Sequence, residues 1–385
     1  MAKQSKKATE SSVSEILKAK ADERKSSGSA SKPSRDAPDL QVITKEQWNS
    51  LLMNPGSTNE EIMAYSVPVI GRRGFEIILK PNPSLVTMTP IEEELESAIR
   101  IGNDIDRWRR YRRFLTALKE KPDRPLIVSE GDSWFQFPFF VKEVVDHLEK
   151  SYNVACAAAA GDTAQNMVEG EVRYRGREYL SQIWKYRDRT EAFLFSGAGN
   201  DIIGIDPSDG EQALKKILKK PRTRNPQPHE FVDQGELTKR LQALRRFYLD
   251  VIKSIRQYNE LKTLPIIVHG YDYPFPFEGE GDPRTPLWAR DGSRWITPAF
   301  DHHQIKQEHR RPVLMLLIDA LYDMLNGLAG TSRQTHVWVV DCRKTLTKRS
   351  DWVDEIHATD RGFVKVARKF DETIKNAVDA RRTVA

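Results

Sequence analysis

The sequence predicts an α/β protein: a three-layer α/β/α sandwich around a five-stranded, mainly parallel sheet, with an N-terminal accessory region ahead of it. Three observations predict it. From about residue 123 onward, short apolar runs alternate with amphipathic helical stretches, the pattern of βαβ units. Glycine and small polar residues follow those runs at once, where an open parallel sheet places the loops of its carboxyl edge. The chain has 385 residues, 39% hydrophobic and 30% charged. That suits one sizeable domain plus an added segment and excludes general disorder.

Residues 1–40 are rich in Ser, Lys, Ala and Asp and poor in bulky apolar side chains. They are expected to be a disordered basic arm, with transient helix around "SVSEILKAKADERK". Residues 41–122 read as an accessory region of short helices and strand. There "TKEQWNSLLMNPGS" is a short helix stopped by Pro55-Gly56, and "GFEIILKPNP" a strand ended by proline. "PIEEELESAIRIGNDIDRWRRYRRFLTALKEK" is a long helical stretch with a basic second half. Residues 123–385 form the α/β domain, with strands expected at 125–129, 152–158, 192–196, 264–269 and 336–341. Helices between them carry apolar residues three and four apart: Phe140, Val141, Val144, Val145 and Leu148, then Leu237, Leu241, Leu244, Tyr248, Val251 and Ile255. Phe363, Val366, Ala367, Phe370, Ile374 and Val378 mark a closing helix. Five such strands covered on both faces make a flavodoxin-like sandwich.

The net charge of +6 is mildly basic. It favours an anionic surface, such as phospholipid head groups, or a protein partner for the basic N-terminal region, and nucleic-acid binding is not expected from so small an excess. The clusters "LKKILKKPRTR" and "RWRRYRRF" read as solvated or partner-facing helix surfaces. No run approaches the ~20 apolar residues of a membrane span, so no transmembrane segment is expected. The start, "MAKQSKKATESS", lacks an apolar signal core, which makes the cytoplasm the default expectation and leaves export by a specialised route open. Cys156 and Cys342 fall near the ends of different strands, and no disulfide is expected.

Four strand ends carry chemistry. Gly131-Asp132-Ser133 follows the first, "AAAAGDTAQNM" with Gly161 the second, and Gly197-Ala198-Gly199-Asn200-Asp201 the third. After the fifth, "DWVDEIHATD" sets Asp354 three residues before His357. Each block has an ordinary explanation: Ser133 as a cap for a helix starting near Pro138, Asn200-Asp201 as a turn, His357 as a satisfied surface histidine. Asp132 and Asp201 read as structural, bonding their own loops. At average residue usage the joint occurrence by chance is about a few in a thousand. A serine hydroxyl needs a neighbouring base to act as a nucleophile, and histidine held by a carboxylate supplies one near neutral pH.

In this combination the chain resembles the SGNH hydrolases, the GDSL esterase/lipase family, named for Ser, Gly, Asn and His in four separated blocks. The resemblance spans about residues 124–375 and leaves the first 120 outside. It implies Ser133 as nucleophile, His357 as its base and Asp354 as the residue that orients His357. It further implies an oxyanion hole of the Ser133 and Gly161 backbone amides and the Asn200 side chain, with no cofactor and no metal. Trp134 stands where the family name has leucine, and the segment around Gly161 is alanine-rich. The expected activity is hydrolysis of a carboxylic ester through an acyl-enzyme. A small-molecule or lipid ester is the expected substrate, with a lipid-like acyl ester favoured by the basic surface and an aromatic loop. The alternatives are a carbohydrate O-acetyl esterase and a catalytically silent binding or scaffold protein.

That loop, "HGYDYPFPFEGEGDPRTPLWARDGSRWITPAFDHH", follows the fourth strand and brings Tyr271, Tyr273, Phe275, Phe277, Trp288, Trp295 and Phe300. Trp134, Tyr271 and Tyr273 are the candidate substrate-binding residues, and a self-packed surface loop is the competing reading. "GAGNDI" is not a dinucleotide loop, because it follows the third strand and has Ile202 where the last glycine belongs. His302, His303 and His309 in "FDHHQIKQEH" lack the spacing of metal ligands.

Overall fold

An apolar run settles at the centre of a parallel sheet when helices cover both its faces. In the computed structural model of the chain, residues 40–70, 77–87, 102–137, 139–170, 176–206, 209–279, 282–284 and 294–383 are described. Leu126–Gly131 (β1) is buried at every position and pairs in parallel with Asn153–Cys156 (β2) on one side and Thr190–Ser196 (β3) on the other. Ile266–His269 (β4) adds to β3, and Val337–Val340 (β5) to β4. The order is β2-β1-β3-β4-β5, all parallel, each strand within two residues of its expected span. Cys156 and Cys342 lie toward opposite edges of this sheet and are free thiols.

Ten helices position the site. They are Gly102–Glu120 (α1), Val144–Leu148 (α2), Ala164–Glu169 (α3), Glu178–Lys185 (α4), Gly199–Ile203 (α5), Ala213–Ile217 (α6), Gln234–Arg256 (α7), Thr297–His302 (α8), Gln307–Ala329 (α9) and Asp360–Arg382 (α10). Helix α2 packs with α10, while α7 packs with α3 and α9, as expected when crossovers of one hand set these two groups on opposite faces of a parallel sheet. The connection from β1 runs to one side and that from β3 to the other. A crevice therefore opens above these two strands, where doubly wound sheets bind ligands. The fold is the predicted three-layer α/β/α sandwich.

Upstream of the sandwich, Thr44 with Gln47 and Thr58 with Glu61 form capping boxes that start the helices Lys45–Met53 and Asn59–Ala64. Ser66–Ile70 pairs antiparallel with Ile77–Pro81. The helix at 59 and the strand at 66 were not expected, being short and without a periodic pattern. Residues 1–39, all but the last of the predicted arm at 1–40, lie outside the described residues, as does 88–101, the first half of the predicted long helix.

Its second half, α1, departs from expectation. Arg109 and Arg110, read as part of a solvated or partner-facing surface, are 0% and 2% exposed. The helix lies against edge strand β2, and its arginines serve as cross-links. Arg107 donates to the Ala157 carbonyl at 2.8 Å and pairs with Glu178 at 2.7 Å. Arg110 donates to the Phe135 carbonyl and pairs with Glu143 at 2.6 Å and Asp146 at 3.1 Å. A charge this deeply buried persists only because it is paired and hydrogen-bonded.

A second departure lies beside the nucleophile candidate. The apolar stretch from Phe140 was expected to be helical, but α2 begins only at Val144, because Phe139 takes φ 68°. Among the described residues Ser133 caps no helix, and Glu143 stands at the N-cap of α2. Helix α9 is long and apolar enough to cross a membrane, unlike anything expected from the sequence. It packs Val313, Leu314, Leu317, Leu321 and Leu325 into the two apolar clusters of the fold.

Gly131 ends β1 where no side chain fits: a Cβ there would lie 2.6 Å from the Ser196 Cβ and 2.9 Å from the Ser196 carbonyl oxygen. Gly131→Ala is expected to cost about 1–3 kcal/mol of stability. Urea denaturation should read this as a lower midpoint at unchanged slope. A variant as stable as the wild type would mean that the two strands are free to part.

Candidate active site

Strand β1 delivers Ser133 by a turn. The ladder to β3 continues one residue past Gly131, with the Asp132 N–H donating to the Ser196 carbonyl at 3.1 Å. The N–H groups of Phe135 and Gln136 then both donate to the Asp132 carbonyl, so the chain folds back and sets Ser133 on the carboxyl edge. His357 comes from the loop after β5. Asp354 shapes that loop locally, its Oδ1 accepting the N–H of Ile356 at 2.8 Å and of His357 at 2.7 Å. Trp352 and Ala358 close it by a bridge.

These two edges meet. His357 Nδ1 lies 2.7 Å from Asp354 Oδ2, and His357 Nε2 lies 2.8 Å from Ser133 Oγ. With the proton on Nδ1 donated to the carboxylate, Nε2 is left as the acceptor for the serine hydroxyl. All three side chains are buried, at 4% exposure for Ser133 and 0% for Asp354 and His357. Burial alone would raise the Asp354 carboxyl. The neighbouring His357 and its hydrogen bonds outweigh this and hold it below the usual carboxylate range.

Two aromatic residues fix the imidazole. Phe137 stacks on it with centroids 4.0 Å apart and planes within 10°. Trp295 meets its edge and donates its indole N–H to Asp354 Oδ2 at 3.1 Å. Sequence reasoning placed Trp295 in the aromatic loop without seeing this bond. It missed Glu355 altogether. That fully buried carboxylate accepts the N–H of Phe277 at 3.0 Å, of Ile296 at 2.8 Å and of Thr297 at 3.2 Å, with the Thr297 hydroxyl as well. Arg284, paired with Asp282, donates to the carbonyls of Phe275 at 2.8 Å and Asp354 at 3.0 Å. The described ends of the aromatic loop are thus fastened to the segment that carries Asp354 and His357. Trp288 lies outside the described residues.

Asn200 begins the second turn of this edge. It is buried in α5, and its Nδ2 donates to the Asp162 carbonyl at 2.6 Å, next to Gly161. Gly161 takes φ 82°, a left-handed conformation that favours glycine. Among the described residues the N–H groups of Ser133 and Gly161 meet no acceptor. Asp201 reaches beyond its own loop, accepting the N–H of Ala164 at 2.8 Å, which ties the loops after β2 and β3 together. Burial pushes its carboxyl up to about 6.

Ser133 and Asn200 line a mostly apolar cavity. Trp134, Tyr271 and Trp352 line it, as do Leu214, Leu237, Leu241, Leu314, Leu317 and Leu321. These leucines come from α6, α7 and α9. The pair on α7 was legible only as helix periodicity, which does not tell a core face from a binding wall. Trp134 is anchored by its indole N–H on the Ile356 carbonyl at 3.0 Å. Tyr273, predicted to bind substrate, is absent from the cavity wall, and its hydroxyl donates to Asp319 at 2.6 Å. His303, from the histidine cluster, bonds the Lys215 carbonyl at 2.8 Å.

No family model and no curated protein matches the chain. Among solved structures it is similar to a candidate GDSL-like lipase from Bacteroides ovatus, at 16% identity over 66% of this chain and 54% of that one, with a TM-score of 0.36. It is similar to a family 3 carbohydrate esterase from Clostridium thermocellum, at 10% identity over 67% and 98% of the two chains and a TM-score of 0.37. An aryl esterase from M. smegmatis shares 12% identity over 66% and 99%, with a TM-score of 0.36. The chain spans just over half the length of the first of these. At such scores the overlaps carry no weight, and the assignment of fold rests on the strand order and connections described above.

At the end of β4, burial pushes the His269 imidazole down to about 3. A histidine in the unfolded chain takes up its proton near about 6.5, so below that pH the unfolded state binds the extra proton. Stability is therefore expected to fall by about 1.4 kcal/mol per pH unit as the pH drops from about 6.5 towards about 3. Urea melts across this range should show that His269→Gln flattens the slope. Equal slopes in both proteins would refute the buried neutral imidazole.

Proposed function

We propose that the chain is a serine hydrolase of SGNH/GDSL type that cleaves carboxylic esters, with a lipid-like acyl ester as the favoured substrate. One observation carries this reading: the hydrogen-bonded series Asp354–His357–Ser133, at 2.7 and 2.8 Å, opens directly on an apolar cavity.

The chemistry follows from the partners. Ser133 Oγ attacks the ester carbonyl carbon while its proton passes to His357 Nε2. Asp354 keeps the other imidazole proton on Nδ1 and stabilises the imidazolium that forms. Negative charge develops on the former carbonyl oxygen. The Ser133 and Gly161 amides, together with the second N–H of the Asn200 carboxamide, are the donors that would receive it. Collapse of the tetrahedral intermediate breaks the C–O bond to the alcohol, which leaves with the proton from His357. Water then repeats the sequence on the acyl-enzyme, releasing the carboxylic acid and restoring the serine.

The aliphatic wall supports an acyl chain rather than a sugar against it, since leucine side chains offer a sugar hydroxyl no hydrogen-bond partner. Each methylene moved from water into such a wall gains up to about 0.8 kcal/mol. A charge or a ring of hydroxyls there would lose its hydration without replacement.

A fluorophosphonate probe is expected to label the wild type and leave Ser133→Ala unlabelled. Folded wild-type protein that takes no label, with no turnover of any ester, would leave the catalytically silent alternative standing. Asp354→Asn should lower kcat about 10⁴-fold through the wrong imidazole tautomer. On a series of p-nitrophenyl esters, kcat/KM should rise from acetate to longer acyl chains. Leu241→Trp, which fills the cavity, should move the optimum to shorter chains, and an unmoved optimum would place the acyl group elsewhere.

A further inference from the structure

Asp132 is buried directly below the nucleophile, and the hydrolytic steps above give it no part. Its carboxylate collects three donors. Oδ1 accepts the Trp134 N–H at 3.1 Å and the Ser196 hydroxyl at 2.8 Å, and Oδ2 accepts the Tyr271 hydroxyl. The Tyr271 oxygen in turn accepts the Gly199 N–H at 2.9 Å. Behind them, His269 Nδ1 accepts the Tyr271 N–H at 3.3 Å, which leaves its proton on Nε2, 2.8 Å from Ser196 Oγ. All these protons point one way, and each path ends on the Asp132 carboxylate.

The two ends of this network lie beside two of the three donors of the proposed oxyanion hole. At one end, the bond to the Trp134 N–H holds the turn whose preceding amide is that of Ser133. At the other, the bond from the Gly199 N–H holds the residue before Asn200. The second end needs holding. Ala198 takes φ 138°, a conformation that side-chain-bearing residues rarely adopt. Helix α5 has only five residues, so its leading N–H groups find no partner within it. Tyr271 supplies the missing acceptor. The fit is close: a Cβ on Gly199 would lie 3.2 Å from the Tyr271 oxygen and 3.3 Å from Asp132 Oδ2.

We propose that Asp132 and Tyr271 are positioning residues that brace the oxyanion hole: one carboxylate–phenol hydrogen bond fixes the Ser133 amide and the Asn200 carboxamide relative to each other. The proposal rests on the reading of Ser133 as nucleophile. It gives Tyr271 a role distinct from the substrate contact predicted for it, although its ring also lines the cavity. An oxyanion hole works because its donors are already in place when charge develops, and a misplacement of about 1 Å costs about 100-fold in rate.

Tyr271→Phe keeps the ring and removes the brace. Per active site titrated with fluorophosphonate, kcat is expected to fall roughly 10- to 100-fold while KM stays within about twofold. Affinity for an alkyl boronic acid, whose tetrahedral adduct resembles the intermediate, should fall by the same factor as kcat/KM. A kcat within about twofold of wild type, or a loss confined to KM, would overturn the brace and leave Tyr271 as a wall of the cavity. Asp132→Asn should show the same kcat loss, and the double variant should be no worse than the poorer single one. Additive losses would overturn the shared role. Amide hydrogen exchange gives a readout independent of turnover: Tyr271→Phe should speed exchange at Gly199 and Trp134, and unchanged exchange counts against the brace. Absence of ester turnover in the wild type would refute the hydrolase reading, while exchange would still decide the brace.

Discussion

The approach of Gly131 to Ser196 is the constraint on which the upper edge of the sheet depends. With a Cβ position only 2.6 Å from its neighbour, β1 runs closer to β3 than any larger residue would permit. The strands then diverge in their connections, one to each side, and leave a crevice above the contact. Asp132 and Ser133 emerge on one lip of that crevice, Ser196 to Asn200 on the other. Because the lips are so near, a single aspartate can hydrogen-bond to both. The loop from β5 has only to bring an imidazole across to complete the arrangement.

Bringing it across takes a good deal of buried polarity. Asp354, Glu355, Arg284 and Asp282 are charged side chains of low exposure, and each is satisfied by backbone or by its ion partner. Such groups contribute little net stability against an apolar core, yet removing one partner is costly because the other is left stranded. Their effect here is geometric. They tie the loop after β4 to the loop after β5, so that Trp295 and Phe137 hold the imidazole between them. Placed among apolar neighbours, the hydrogen bonds of this series act through a medium that screens them weakly.

Much of this was legible in the sequence, and the legible part has a physical signature. Short β-branched and aromatic runs such as "LIVSEG" and "AFLFS" fix strands because both faces are covered, so no alternation is needed to recognise them. Gly-Asp-Ser and Asp-x-x-His stood out because local turns make their bonds, as when Asp354 accepts the N–H groups of Ile356 and His357. What stayed hidden depends on residues far apart in the chain. Glu355 bonds backbone 58 positions away, and no local pattern announces it. Arg110 of α1 looked solvent-facing because basic runs usually are, and the carboxylates of Glu143 and Asp146 make its burial tolerable. The left-handed Phe139 broke a helix that periodicity alone would have continued. Likewise, Leu237 and Leu241 have the same spacing whether they face a core or a cavity.

The tryptophans around the carboxyl edge of the sheet have an optical consequence. Trp134 and Trp352 line the cavity, and Trp295 shares its indole proton with the carboxylate of Asp354. Two of the eight indoles in the chain therefore line the hollow beside Ser133, and a third bonds a carboxylate of the same hydrogen-bonded series. Their emission depends on local polarity and on neighbouring charge, so the filling of the hollow and the protonation of its carboxylate are both written into the intrinsic fluorescence. The protein reports on its own occupancy without a dye.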